Sequence, residues 1–255
     1  MRLRLRQLCL VADKLEPVVE DLKAVFGLDV CFRDPGVGKF GLHNALLAVG
    51  PTFIEIVAPV QENTTAGRYL QKRGGDGGYM VIHDTNDLDG WAAHLSELNI
   101  RIAAALEHGD YRGLQLHPGD TGGALLEINT TKGGDQLDDA YGPAGPDWQS
   151  HVRQERVQGI AAAELQSADP ERLARRWAEV LRRPCAAVPG GFEVTLDHGC
   201  LRFVQARDGR GEGLGGLDIQ VHDVRAVREQ ARARDLPVSD DTVVIGGMRF
   251  YLVSP

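Results

Sequence analysis

Apolar strands, acidic turns and amphipathic helices follow one another in the same order four times along the chain. The helix starts read Asp13-Lys14-Leu15-Glu16, Asn86-Asp87-Leu88-Asp89, Asp169-Pro170-Glu171-Arg172 and His222-Asp223-Val224-Arg225. Self-similarity at this spacing marks a repeated structural unit. In the first unit, Gln7–Ala12 predicts a strand and Leu15–Phe26 a helix, because Val18, Val19, Leu22, Val25 and Phe26 recur at helical spacing. Gly27 stands where a left-handed helix cap belongs. Strands are expected near Val30–Arg33, Asn44–Val49 and Phe53–Ala58.

The second unit predicts a strand at Tyr79–His83, a helix at Leu88–Asn99 and strands near Arg101–Ala105, Gly113–His117 and Ala124–Ile128. The third predicts Gly159–Gln166, a helix from Pro170 to about Arg182, then Cys185–Val188, Phe192–Leu196 and Cys200–Gln205. Pro170 suits a helix start, where its missing N–H would lack a partner anyway. The fourth predicts Leu217–Val221, a helix near Val224–Arg234, Val243–Ile245 and Met248–Val253, so one of its strands is lost or abbreviated. Residues 133–154 hold two prolines, four glycines and little apolar periodicity. The expected division is therefore an N-terminal domain over 1–134, a linker over 135–155 and a C-terminal domain over 156–255. Trp148 in the linker reads as a packing residue, with a linker docked over a groove as the alternative.

Composition narrows the function classes. With 255 residues and 43% apolar content, the chain can build a full core without staples. The net charge of −8 opposes a nucleic-acid or anionic-membrane partner. Cys9, Cys31, Cys185 and Cys200 form no CxxC pair, which points to reduced, buried thiols and a cytoplasmic setting. The apolar run Leu8–Ala12 is too short for a secretion signal, and no segment is long enough to cross a membrane.

The repeat resembles the βαβββ module of the vicinal oxygen chelate superfamily, which includes glyoxalase I, methylmalonyl-CoA epimerase, extradiol dioxygenases and bleomycin-resistance proteins. Gly41-Leu42-His43-Asn44-Ala45-Leu46-Leu47 followed by Phe53-Ile54-Glu55-Ile56-Val57 is similar to its glyoxalase-like domain. His117-Pro118-Gly119-Asp120-Thr121-Gly122-Gly123 leading into Leu125-Leu126-Glu127-Ile128 is similar to the end of the epimerases, where a metal-binding glutamate follows. The resemblance implies an α+β fold of four βαβββ modules in two tandem glyoxalase-like domains with curved half-barrel sheets.

It also implies where ligands would come from: the first and last strand of each module. The first-strand positions are Gln7, Met80, Ala162 and Gly216, and the last-strand positions are Glu55, Glu127, about Phe203 and about Tyr251. The second half offers no ordinary ligand, so the two histidines and glutamate of the extradiol dioxygenases are missing. The first half offers Gln7, Glu55 and Glu127 for a divalent metal (Zn, Ni, Mn or Mg), since carboxylates are hard oxygen donors. Met80 stands where the epimerases carry histidine, and a thioether is a poor partner for these ions.

Glu55 and Glu127 each interrupt an apolar run. They read either as cavity residues or as glutamates on the wet face of an antiparallel sheet. In a shared cavity, one of two carboxylates would tend to hold a proton, which suits acid–base work next to a carbonyl. Glu127 and Glu55 are thus the expected catalytic pair. Met80, Asn44 and His117 are expected on the ligand side, His117 as a turn or rim residue. His83 lies on the opposite face from Met80 and is expected to pack. The expected function is a glyoxalase-like lyase or isomerase acting on a carbonyl compound, with or without metal. The alternative is a metal-free small-molecule binding protein of the bleomycin-resistance type. The partner is a small molecule, and a homodimer is allowed.

Overall fold

The structure, a computed structural model, describes residues 1–255. The first module comprises β1 (Leu3–Val11), α1 (Leu15–Phe26), β2 (Val30–Phe32), β3 (Leu42–Val49), β4 (Thr52–Pro59) and α2 (Thr65–Arg73). The second has β5 (Gly77–Thr85), α3 (Leu88–Glu97), β6 (Ile102–His108), β7 (Tyr111–Leu116), α4 (Pro118–Thr121) and β8 (Leu125–Thr131). The third has β9 (Val157–Ser167), α5 (Pro170–Leu181), β10 (Cys185–Val188), β11 (Gly191–Thr195) and β12 (Cys200–Gln205). The fourth has β13 (Gly213–Val221), α6 (Val224–Ala233), β14 (Thr242–Ile245) and β15 (Met248–Val253), one strand short as expected.

The strands form an eight-stranded sheet ordered β2-β3-β4-β1-β5-β8-β7-β6 and a seven-stranded sheet ordered β10-β11-β12-β9-β13-β15-β14. Each sheet combines two consecutive modules, and the fold is that of tandem glyoxalase-like domains. The acidic turns have a shared local role. Asp87, Asp169 and Asp223 each accept a hydrogen bond from the backbone N–H three residues on, at Gly90, Arg172 and Ala226. Those bonds satisfy N–H groups that the first helical turn leaves without a partner. In the first module Lys14 takes the cap position and its side chain makes no such bond. The stripe of α1 is buried as its spacing requires.

Several boundaries differ from the sequence reading. β1 starts at Leu3 instead of Gln7, which makes Arg4 and Arg6 strand residues. β6 and β8 run three residues further than expected, to His108 and Thr131. α2 was not expected: its sequence is mainly polar and it buries only Ala66, Leu70 and Arg73. Its capping by Thr64 and Gly74 is the local signal that was present. All four cysteines are free, but only Cys9 is buried, while Cys31, Cys185 and Cys200 are half-buried. Trp148 packs, 2% exposed, with Phe53 edge-on at 5.1 Å.

The chain divides into two compact units. One comprises residues 1–7, 79–142 and 162–214, and the other residues 8–78, 143–161 and 215–255. In the first unit, Trp177 of α5 lies edge-on to Phe203 at 5.9 Å and to the buried His83 ring at 6.5 Å. In the second, Phe26 of α1 meets Phe250 of β15 at 5.2 Å.

Candidate functional site

Glu127 is 3% exposed, so the wet-face reading does not hold for it. In the parallel β5–β8 pair it lies opposite Ile82, and in the antiparallel β7–β8 pair opposite Gln115. Alternation therefore puts Met80, Ile82, Asp84, Glu127, Asn129, Thr131, Gln115, Gly113 and Tyr111 on one face. His83 lies on the other face, as expected.

Three side chains hold the Glu127 carboxylate. The Tyr111 hydroxyl and Asn129 Nδ2 donate to Oε1, the latter at 3.1 Å, and Gln115 Nε2 donates to Oε2 at 3.0 Å. Burying a carboxylate is costly unless donors replace its water, and here they do. Gly113 makes the Tyr111 bond sterically open: a Cβ there would stand 2.6 Å from the Tyr111 hydroxyl oxygen and 3.4 Å from Glu127 Oε1.

Gln7 belongs to the same unit and is 2% exposed. Its Oε1 accepts a hydrogen bond from the Tyr141 hydroxyl at 3.0 Å. Tyr141 is 2% exposed, and burial, reinforced by the Glu127 charge, pushes its phenol well above the usual range. It therefore stays a neutral donor. The Arg6 guanidinium lies over its ring, 4.8 Å from the centroid. Arg4 makes a bidentate pair with Asp84 at 2.7 and 2.5 Å, and Arg6 Nε lies 3.7 Å from the same carboxylate. Met80 is buried on the Glu127 face. His117, half-buried, caps α4 through Gly119 and is 3.1 Å from Arg101, which also grips Asp120.

Glu55 and Asn44 belong to the other unit. In the β3–β4 pair Asn44 is opposite Val57 and Glu55 opposite Leu46, two positions apart and so on one face, and Asn44 Nδ2 donates to Glu55 Oε1 at 2.7 Å. Glu55, 8% exposed, is likewise not on a wet face. Asn44 also accepts from the Asp34 backbone N–H at 2.8 Å. It lines a shallow depression of about 320 Å³ with Arg33, Asp34, Pro35 and His43. His43 is exposed beside the buried Asn44, so Asn44 is the inward one of the two.

The donor atoms expected to bind a metal are already engaged. Glu127 uses both oxygens for Tyr111, Asn129 and Gln115, while Gln7 and Glu55 each accept from a side chain. No group of three or more His, Cys, Asp or Glu side chains is arranged to hold a metal ion. This set does not fit a divalent cation without displacing those donors, and a buried guanidinium supplies positive charge on the Gln7 side.

Sequence reasoning missed Tyr111, Gln115, Asn129, Tyr141 and the buried arginines. Period-two counting from Glu127 gives Asn129, and the same counting along β7 gives Tyr111 and Gln115, once the pairing register is known. Tyr141 lies in a segment without periodicity and carries no such signal.

The family described as "Glyoxalase-like domain" matches residues 8–181. No curated protein matches the chain. Among solved structures, a hypothetical protein from Staphylococcus aureus is similar over 100% of both chains, at 13% identity and a TM-score of 0.70. A Streptomyces coelicolor methylmalonyl-CoA epimerase in complex with 2-nitronate-propionyl-CoA is 24% identical, over 50% of this chain and 96% of its own, with a TM-score of 0.46. The Mycobacterium tuberculosis methylmalonyl-CoA epimerase is 25% identical, over 50% of this chain and 87% of its own, with a TM-score of 0.46. No helix is long and apolar enough to cross a membrane.

Proposed function

Because the chain belongs to the glyoxalase-like domain family, we propose that it is a small-molecule isomerase or lyase that moves a proton at a carbon next to a carbonyl, with Glu127 as the base. The observation that carries this reading is the buried Glu127 carboxylate held by one hydroxyl and two amide donors. The donors fix the carboxylate's position, and Oε2, which takes one donor where Oε1 takes two, is the oxygen to receive the proton. The C–H bond breaks, its electron pair moves into the carbonyl to give an enolate, and the proton rests on Glu127. Return of the proton to the same face of that carbon gives hydrogen exchange alone, and delivery of a proton from solvent to the opposite face epimerises it; expulsion of a group from the neighbouring carbon completes a lyase step. Tyr111, half-buried and bonded to the carboxylate, is the route for exchange with solvent. No step passes through a metal.

Proton NMR in D2O with EDTA tests this on 2-oxo acids, 3-oxo acids and acyl thioesters. Exchange of the hydrogen next to the carbonyl is expected for at least one class. Glu127→Gln should lower it by about 10²–10⁴-fold, the usual contribution of a positioned base. Exchange that Glu127→Gln leaves intact would overturn the reading.

The engagement of both Glu127 oxygens favours a second reading, a metal-free binding protein. Saturable binding of one of these compounds without any hydrogen exchange is its signature.

A further inference from the structure

Arg2, just before β1, and Arg4 and Arg6 within it alternate at the start of the chain and meet the same short loop. Arg4 and Arg6 are 5% and 1% exposed, and Arg2 is half-buried. Asp84 is the carboxylate that Arg4 and Arg6 share. Neutral backbone carbonyls from one short loop also meet the row. Gly134 O accepts from Arg2 and Arg4, both at 3.1 Å. Asp135 O accepts from Arg2 and, at 3.1 Å, from Arg4. Leu137 O accepts from Arg6 at 2.7 Å. Arg2 Nε is buried with no hydrogen-bond partner.

The loop has the form of a strap with a closed neck. The Gly134 N–H donates to Thr131 O, and the Gly142 N–H donates to Thr131 Oγ1, each at 3.0 Å. Both ends thus rest on one residue, the geometry of an Ω-loop. A side chain at Gly134 would meet Ala140 O at 2.7 Å, so the neck closes only over glycine. Between the ends, Asp135, Gln136, Asp138 and Ala140 are exposed, and Tyr141 is the one buried side chain. Segments with so little buried apolar surface open at low cost. Tyr141 enters the polar cluster itself, bonded to Gln7 and close enough to Glu127 to feel its charge.

A carboxylate offers a guanidinium a full negative charge and a bidentate fork, where a backbone carbonyl offers one neutral acceptor. A small anion therefore competes well against these carbonyls. We propose that the Arg2–Arg4–Arg6 row is the binding site for the carboxylate of a small oxo acid, and that residues 134–141 are a strap that gives way to it. The choice of an oxo acid rests on the reading of Glu127 as a base; the anion site stands on the arginines and their carbonyl partners.

Hydrogen exchange read by mass spectrometry tests this on the whole chain, with 2-oxobutanoate as probe and its neutral methyl ester as control. The acid should speed exchange of the strap amides at least ten-fold in a saturable way, and the ester should not. Arg2→Gln removes only bonds to strap carbonyls and should weaken the apparent Kd about ten-fold. Replacing Gln136–Ala140 with a Gly/Ser linker should tighten it. Equal responses to acid and ester, or an unchanged Kd in Arg2→Gln, would overturn the proposal. Glu127→Gln separates the two ideas. A strap that still opens in a variant that has lost C–H exchange supports both. C–H exchange that survives in this variant sinks only the base. A strap that never responds, in a protein whose C–H exchange depends on Glu127, sinks only the anion site.

Discussion

His83 lies on the opposite face of β5 from Met80 and Ile82, and its titration should govern the acid stability of the first unit. It is fully buried, and burial pushes its imidazole down from 6.5 to about 4. Its Nδ1 is 3.3 Å from the Glu127 backbone carbonyl, so Nδ1 carries the proton, and Nε2 is buried without a partner. The unfolded chain takes up a proton below pH 6.5, while the folded protein refuses it until about pH 4. The stability this group contributes is thus complete above pH 6.5 and is lost as pH falls toward 4. At about 1.4 kcal/mol per pKa unit, the loss amounts to about 3 kcal/mol, a large share of an ordinary domain's stability. The perturbation is His83→Leu, which fills a similar volume and cannot titrate. It should cost about 1 kcal/mol at pH 7 for the lost hydrogen bond. Urea unfolding at intervals from pH 7 to pH 4.5 is the assay. Wild type should lose stability with a slope close to one proton more than the variant, so the two curves converge and then cross. His198 is also depressed, by burial and the nearby Arg6 and Arg4 charges, and it contributes equally to both proteins. Parallel curves over the whole range would refute the assignment to His83.

Asp84→Asn should destabilise the protein by about 3–5 kcal/mol, because it leaves the buried Arg4 and Arg6 without their shared carboxylate; thermal unfolding measures it, and a loss below about 1 kcal/mol would contradict a buried ion pair. Burial pushes the Cys31 thiol up to about 12, so iodoacetamide at pH 8.5 should leave it unmodified in the folded protein while labelling it in urea. Gly113→Ala should push Tyr111 off Glu127 and reproduce the effect of Tyr111→Phe on C–H exchange; a fully active alanine variant would show that the Tyr111 bond is dispensable.

The four helices with apolar stripes were legible because each buries a face set by its own spacing, and three of the four acidic turns cap their helices by local bonds. The abbreviated fourth module was legible for the same reason, since a missing apolar run cannot form a strand. Glu127 and Glu55 stood out because a carboxylate inside an apolar run is costly wherever it is buried. The polar α2 was not legible, because its stability comes from its caps and its neighbours in place of a stripe.

The sequence by itself determined the modules and the family, and it singled out the two glutamates without deciding whether they are buried. Tertiary structure decided what those glutamates meet. Whether a carboxylate meets a metal, a solvent face or three side-chain donors depends on strands β7 and β8 pairing in one register. Tyr111 and Gln115 lie on the other strand of that pair, 16 and 12 residues from Glu127, so they became its partners only once the register formed. The same holds for Arg2, Arg4 and Arg6. Asp84 and the carbonyls of a loop some 130 residues away receive them on folding, and a guanidinium leaves water at a bearable cost where such acceptors await it.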